Sequence, residues 1–327
     1  MGVEVIVDRE RWDGIVDGLA YGHPLQLWAW GEVKRPNGWT PHRLALTHAG
    51  APVAAGQLLF WRIPAWGKTV AYLPRGPVGT LERAREFLDE AAVYARARGA
   101  LYLRVEPAWM SVALPARWRP SPDGILLGQT YTIDLTQSED ALLAAMRGKT
   151  RQYIRKAVSN GVVVERDVTG ARLDDVWRIY QETAARAGFG LHPFAYYRRL
   201  FDLYGACNGL YLALINGTAE AFLWLVEGGD VAFELYGGVT THGGARKANY
   251  ALKWRAIADM KRAGRALYDV NGRLNEGVDQ FKGGFGGDEV DFIGTFDLPL
   301  HLLSYHAWQT LWPLAKPVGR ALLRRRS

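Results

Sequence analysis

One pattern occurs twice along the chain, and that repetition restricts the fold more than any other feature. "LALTHAGAPVAAG" (44–56) is matched by "LALINGTAEAF" (212–222); both read as strand, tight turn, strand, with Gly50 answering Gly217. "RARGALYLRV" (96–105) is matched by "KRAGRALYDV" (261–270); both read as helix end, glycine, strand. The anchors keep their order at offsets of 168, 167 and 166 residues. Each half carries a helix between them. The first, "TLERAREFLDEAAVYARARG", has Thr80 as N-cap and Gly99 as its stop, and the second, "ARKANYALKWRAIADMKRAG", stops at Gly264. A repeat at one period signals a duplicated unit. The expected fold class is therefore α/β (α+β): two lobes, each a mixed, mostly antiparallel sheet with flanking helices. Expected boundaries are 1–140 and 141–294, joined near "DLTQSEDAL" (134–142), with 295–327 returning to the first lobe. No Pro- or Ser-rich linker separates the halves, so a cleft between them is the default site. Neither half places G-x-G-x-x-G after a strand, which weakens a dinucleotide-binding reading.

Composition bounds the partners. A net charge of +7 favours polyanions, nucleic acid or an anionic membrane surface, without choosing between them. Thirteen Trp are expected mostly in the core. The single cysteine, Cys207, excludes a disulfide within the chain and reads as a packed residue rather than a nucleophile. "MGVEVIVDRERWDG" has acids and no long apolar run, unlike a signal peptide, and the longest apolar run is "AFLWLV" (221–226). The expectation is a cytoplasmic, monomeric protein. The seven His show no metal-ligand spacing, and no G-x-S-x-G occurs, so no metal and no cofactor is implied.

"SEDALLAAMRGKTRQYIRKAVSNG" (138–161) reads as one helix with an apolar stripe of Leu143, Met146, Tyr153, Ile154 and Ala157. Arg147, Arg151 and Arg155 recur every four residues on another face, beside Lys149 and Lys156, with no acid after Asp140. A solvated surface helix is the plain alternative. Without acids, i,i+4 pairing is not the purpose of these cations, and a row of them suits a phosphodiester backbone.

Four further stretches carry signal: "QLWAWGEVKRPNGW" (26–39), "AYLPRGPVG" (71–79), "NYALKWRAIADMKRAG" (249–264) with "YDVNG" (268–272), and "FKGGFGG" (281–287). In this order, from Gln26 to Leu300, the sequence resembles the Fem family of non-ribosomal peptidyltransferases, which build the interpeptide bridge of peptidoglycan from aminoacyl-tRNA. The resemblance implies two GNAT-like acyltransferase lobes, in agreement with the duplication. With no long heptad stretch, it implies the compact type without a coiled-coil arm.

By the same resemblance, Lys34 in "WGEVK" corresponds to a lysine holding phosphate of the peptidoglycan precursor; the alternative is a surface lysine after a helix. Tyr72 corresponds to a precursor-contacting tyrosine, with Arg75 and Gly76 in the same turn, where the alternative for Arg75 is a solvated arginine. "ETAARAGFGLHPFAYY" (182–197) corresponds to a segment that places an arginine and a tyrosine on the precursor. Tyr196 matches the tyrosine, His192 stands at the arginine position with Arg186 nearby, and Tyr236 is grouped with them. Lys282 corresponds to the lysine beside the reacting ester, preceded by Phe281. Arg147, Lys149, Arg151, Arg155 and Lys156 become the tRNA-binding residues.

The implied reaction is attack by a stem-peptide amine on the ester carbonyl of aminoacyl-tRNA. The acceptor would be lipid II or its nucleotide-linked form. Lys282 would stabilise the developing oxyanion, and the surrounding glycines would let the backbone approach the terminal adenosine. Asp269 in "YDVNG" is a candidate base, although an Asp at a strand end more often holds a turn. A GNAT-like N-acyltransferase using acyl-CoA would want a pyrophosphate loop before a helix, which neither half shows clearly. A non-catalytic binding protein for tRNA or precursor is the other alternative. Finally, "LLSYHAWQTLWPLAKPVGRALLRRRS" (302–327) combines Trp308, Leu311 and Trp312 with Lys316, Arg320 and Arg324–Arg326, which suits contact with the inner membrane surface, although Pro313 and Pro317 interrupt a long helix.

Overall fold

The computed structural model describes residues 2–63, 66–121, 123–273 and 275–311. The chain runs β1 (Val3–Val5), α1 (Arg9–Gly18), α2 (Trp28–Lys34), β2 (Trp39–His48), β3 (Ala51–Arg62), β4 (Thr69–Pro74), β5 (Val78–Gly79), α3 (Leu81–Ala97), β6 (Ala100–Glu106) and β7 (Arg119–Pro120). It continues through β8 (Gln129–Asp134), α4 (Glu139–Ala145), α5 (Gly148–Ser159), β9 (Val162–Asp167), α6 (Leu173–Ala187), α7 (Phe194–Tyr204), β10 (Asn208–Ile215), β11 (Thr218–Gly228) and β12 (Val231–Val239). It closes with α8 (Thr241–Ala245), α9 (Ala248–Arg262), β13 (Leu267–Asp269), α10 (Glu276–Gly283), β14 (Asp288–Asp291) and β15 (Phe296–Pro299).

Two compact units result: 1–21 with 25–126 and 292–327, and 22–24 with 127–291. The first sheet has the order β1-β2-β3-β4-β6-β15-β7, with β5 beside β3; the second has the order β14-β8-β13-β12-β11-β10-β9. The division falls at 126/127 and 291/292 rather than at the expected 140 and 294. β8 pairs antiparallel with β13 and β14, which carries 129–134 into the second sheet.

The repeated anchors become the same parts in each unit. β2–β3 and β10–β11 are the two hairpins, turning at Ala49-Gly50 and Asn216-Gly217 with all four residues at positive φ. That geometry requires the left-handed region at both central positions, which the asparagine and the two glycines tolerate. α3 crosses from β4 to a parallel β6, and α9 crosses from β12 to a parallel β13. Gly99 and Gly264, at φ +72° and +79°, let the chain turn from each helix into its strand. Thr80 stands at the N-cap of α3, but its side chain makes no capping hydrogen bond. Each helix buries one face at helical spacing: Ala84, Phe87, Leu88, Ala91 and Ala95 on α3, and Ala248, Ala251, Leu252, Ala256, Ile257 and Met260 on α9. Each unit has its own core. The longest described helix is α3, at 17 residues.

The basic stretch is not one helix. α4 ends before Met146, and Met146 and Arg147 are extended, at ψ 147° and 141°, before α5 begins at Gly148. Cys207 is half-buried.

Residues 302–311 are helical and place Tyr305 and Trp308 in an apolar cluster with Ile63, Val70, Leu101 and Tyr102. Trp312, Pro313, Lys316, Pro317, Arg320 and Arg324–Arg326 lie outside the described residues. A buried bidentate pair anchors β15: Arg104 Nε and Nη2 donate to Asp297 at 2.7 and 2.9 Å, with the Tyr305 hydroxyl donating to the same carboxylate at 3.2 Å. Removing one partner strands the other charge away from water. Asp297→Ala is expected to lower stability by about 3–5 kcal/mol, read from urea midpoints.

Candidate active site

In the second unit, Lys282 sits in the last turn of α10 rather than in a loop. Asn275 starts that helix by accepting from Val278 N at 3.0 Å, with Glu276 and Asp279 in its first turn. Arg273 braces it from outside, bonding Asp279 and donating to Glu289 at 2.8 Å. The Lys282 ammonium donates to three consecutive carbonyls, Val270 at 2.6 Å, Asn271 at 2.7 Å and Gly272 at 2.9 Å. These are the first residues after β13. All three of its protons are thus engaged at the end of the strand.

Buried charges surround it. Lys253 of α9, 1% exposed, pairs with Glu234 of β12 at 2.6 Å. Tyr268 donates to the same carboxylate at 2.8 Å. Asp269 accepts from the Thr130 hydroxyl at 2.6 Å and from Asn271 N at 2.8 Å, so it holds the turn, as an Asp at a strand end commonly does. Burial pushes the Lys282 pKa down to about 8; Glu234 and Asp269 pull it upward and Lys253 pushes it down. Burial also lowers Lys253. Lys253 and Glu234 escaped the sequence reading. The signal was present: in "NYALKWRAIADM", Lys253 falls in line with Ala256, Ile257 and Met260 on the apolar face, where a cation needs a buried acid.

The glycines of 283–287 are needed for internal packing. A Cβ on Gly283 would stand 2.9 Å from the Tyr131 ring, on Gly284 2.5 Å from Thr150 Oγ1, and on Gly287 2.5 Å from the Thr132 carbonyl oxygen. Beside them lies a cavity of about 390 Å³ whose lining includes Asp134, Gln137, Arg147, Phe285 and Asp288. Phe281 packs edge-on against Tyr250, with ring centroids 5.0 Å apart.

Of the expected tRNA-binding residues, Arg147, Lys149, Arg155 and Lys156 are exposed. Arg151 is half-buried instead: its guanidinium donates to the carbonyls of Leu143 and Ala144, both at 3.2 Å, and to that of Met146. It therefore closes the C-terminal end of α4.

The aromatic residues expected at the precursor come together in the same unit. His192 stacks on Tyr196 at 4.1 Å, and the Tyr236 hydroxyl donates to that of Tyr196 at 3.4 Å. Burial raises the pKa of both tyrosines, so both phenols stay protonated. Arg186 is exposed and donates to the Val239 carbonyl at 2.7 Å.

In the first unit, Tyr72 donates its hydroxyl to buried Glu106, which also accepts from Ile125 N at 2.6 Å and from the Thr295 hydroxyl at 2.8 Å. Arg75 is 2% exposed, not a solvated arginine. It holds φ +52° and lies 4.1 Å over the Phe292 ring. Gly76 is required by packing, because a Cβ there would meet Gln26 at 2.9 Å. Lys34 ends α2 half-buried, its ammonium 3.9 Å over Trp30, with its pKa pushed down to about 8 by burial.

The FemAB family profile matches residues 10–121, 125–222 and 219–312. The chain belongs to the FemAB family. It is 27% identical over 236 residues to the lipid II:glycine glycyltransferase of Staphylococcus aureus, covering 66% of this chain and 53% of that protein. The chain therefore spans about half the length of the curated relatives it matches. Among solved structures, the crystal structure of FemX superimposes with a TM-score of 0.84 at 20% identity, covering 94% of this chain and 99% of that one. A tandem GNAT protein from the clavulanic acid biosynthesis pathway superimposes with a TM-score of 0.53 at 12% identity, covering 91% and 99%. The α/β fold of two GNAT-like lobes expected from the sequence is the fold of this FemAB chain.

The position of Lys282 has a measurable consequence. Its ammonium loses a proton near pH 8, against 10.5 for the unperturbed side chain. The unfolded chain binds more protons between those values, so this group alone makes stability rise with pH across that window. In protein carrying ¹³C-labelled lysine, the side-chain Cε resonance missing from Lys282→Met is expected to titrate near pH 8. Titration near 10.5 would contradict the desolvated position.

Proposed function

We propose that this FemAB protein is an aminoacyltransferase that moves an amino acid from aminoacyl-tRNA to the side-chain amine of a peptidoglycan stem peptide, on lipid II or its nucleotide-linked form. The reading is carried by Lys282. A preformed, desolvated ammonium stands at the end of β13, on the residue that the family resemblance sets beside the reacting ester.

As the amine attacks, negative charge grows on the carbonyl oxygen and then on the departing ribose oxygen. A fixed cation with little water around it stabilises that charge more than it stabilises the neutral ester. The three carbonyls that hold Lys282 keep it from swinging away. The ester is already activated, so the remaining acceleration comes from positioning the two substrates. Asp269 is committed to its turn, and a base on the protein is not required if the ribose hydroxyl relays the proton.

Under this reading Tyr72, Arg75 and Gly76 with Lys34 contact the precursor in the first unit. His192, Tyr196, Tyr236 and Arg186 do so in the second. The exposed cations Arg147, Lys149, Arg155 and Lys156 face tRNA phosphates. The protein works as a cytoplasmic monomer at the inner membrane face. Apolar side chains favour that surface: Leu303 is 89% exposed and Leu302 57%. Sedimentation with anionic vesicles is expected to fall at least about threefold in Leu303→Glu; unchanged sedimentation would remove the membrane from this reading.

The deciding experiment incubates the protein with a pool of charged tRNAs and each precursor form, followed by mass spectrometry. One precursor is expected to gain an amino-acid mass. Lys282→Ala is expected to lose more than about tenfold in turnover, or ~1.4 kcal/mol, while retaining precursor binding. Transfer from an acyl-CoA and not from tRNA would overturn the assignment.

A further inference from the structure

Lys282 belongs to a helix with little hold of its own. None of the eight residues of α10 is buried. The helix leans on a cation. The Lys253 ammonium lies 5.3 Å from the Phe281 ring centroid and 5.5 Å from that of Phe285, one residue before Lys282 and three after it. Lys253 is held in turn by Glu234 at 2.6 Å, and the same carboxylate takes the Tyr268 hydroxyl at 2.8 Å. Tyr268 stands two residues before Val270, whose carbonyl is the nearest of the three that Lys282 bonds. One buried pair thus reaches both sides of the Lys282 contact, the helix through two rings and the strand end through a phenol.

A β-bulge places that acid. The register of β11 against β12 slips, so that Leu225 faces Glu234 while Trp224 faces Tyr236, with Leu235 as the extra residue. In an unbroken strand, positions 234 and 236 share a face. Here they part. Glu234 meets Lys253 of α9, whereas Tyr236 meets Tyr180 of α6 and Tyr197 of α7, at centroid distances of 5.7 and 5.4 Å. Stability does not account for the pair. The desolvation of two charges can outweigh their attraction, and apolar side chains of the same size would fill the space as well.

The other titratable groups about Lys282 have tasks of their own. Asp269 of β13 favours the ammonium and holds its turn. Asp279 of α10 bonds Arg273 and takes the Tyr131 hydroxyl at 3.2 Å, and Tyr250 of α9 packs on Phe281. Glu234 and Lys253 remain, and they act with opposite sign: the carboxylate favours the Lys282 ammonium, and the second ammonium opposes it. We propose that Glu234 and Lys253 are positioning residues for Lys282, Glu234 as its remote counter-ion and Lys253 as the post on which α10 docks. The consequence for turnover rests on the aminoacyltransferase reading; the consequence for titration does not.

The test therefore reads Lys282 in two ways. The first is its side-chain Cε resonance in protein carrying ¹³C-labelled lysine, assigned by its loss in Lys282→Met. Glu234→Gln is expected to move the titration midpoint down by at least about one pH unit, and Lys253→Met to move it up by about as much. The second is transfer from charged tRNA against pH. Relative to wild type, Glu234→Gln is expected to lose about threefold in kcat at pH 7.5 and to recover near pH 6, with KM for tRNA and precursor within about twofold. A merely structural role would lower activity at every pH. Should a single variant fail to fold, the double variant Glu234→Gln/Lys253→Met removes both charges together. Its midpoint is expected to fall by at least about half a unit, because Glu234 has the larger influence on Lys282. Shifts of the same sign in the two single variants, or midpoints within about 0.3 unit of wild type in the variants that fold, overturn the proposal. If the midpoints move as expected while no amino acid passes from tRNA, the positioning stands and the aminoacyltransferase reading falls. If transfer proceeds and the midpoints stay, the reverse holds.

Discussion

The second unit is organised around one ammonium that satisfies three consecutive backbone carbonyls. The chain leaves β13 through Val270, Asn271 and Gly272, where no strand continues to take up its carbonyls, and Lys282 Nζ takes all three within 2.9 Å. Buried carbonyls without donors would cost about 1–3 kcal/mol each, so this residue is structural before it is anything else. The ammonium is in turn tolerable because Glu234 and Asp269 lie near enough to pull its pKa upward. Lys253 adds a second buried cation and takes Glu234 as its partner. Two lysines and two carboxylates thus share one desolvated region, and removing any one leaves a charge without its counterpart.

The two copies of the fold treat the same place differently. In each, a helix crosses between parallel strands, and the second strand ends on a buried acid: Glu106 closes β6 and Asp269 closes β13. Glu106 gathers the Tyr72 and Thr295 hydroxyls and the backbone amide of Ile125, so its negative charge is used to tie down loops. Asp269 performs the smaller task of one turn, and the cation is supplied by α10, an element that follows β13. Duplication provided one scaffold twice; the divergence lies in what comes after the last strand of each copy.

The duplicated core was legible because it depends on local backbone geometry. Asn216, Gly217, Gly99 and Gly264 occupy positive-φ positions that only certain residues tolerate, and such residues stand out in a sequence. The helices α3 and α9 announced themselves through apolar spacing. The unit boundary was not legible, because β8 joins its sheet by pairing with strands more than 130 residues later. Nor was the break at Met146–Arg147, where the basic stripe kept helical spacing through a kink that Arg151 stabilises from the far side. "FKGGFGG" was legible as special, but the packing that its glycines serve was not. Glycines that admit a ligand and glycines that admit Tyr131, Thr150 and Thr132 look the same in a sequence.

That packing has a consequence for the charge it surrounds. Lys282 could offer a proton to a new acceptor only by releasing one of its three carbonyls, and the turn carrying them has little room to move. Gly272 is at φ +82°, and the place where its Cβ would be is filled by the Leu127 side chain, 2.0 Å from its Cδ1. Asn271 is also left-handed, at φ +52°, with its amide held by Asp269. The cation is therefore fixed in place by folding, and an oxyanion arriving nearby would meet an oriented field without the cost of reorganising it. The same fixation makes Lys282 a stationary charge rather than a mobile donor. A lysine holding three carbonyls at 2.6–2.9 Å is poorly placed to shuttle protons.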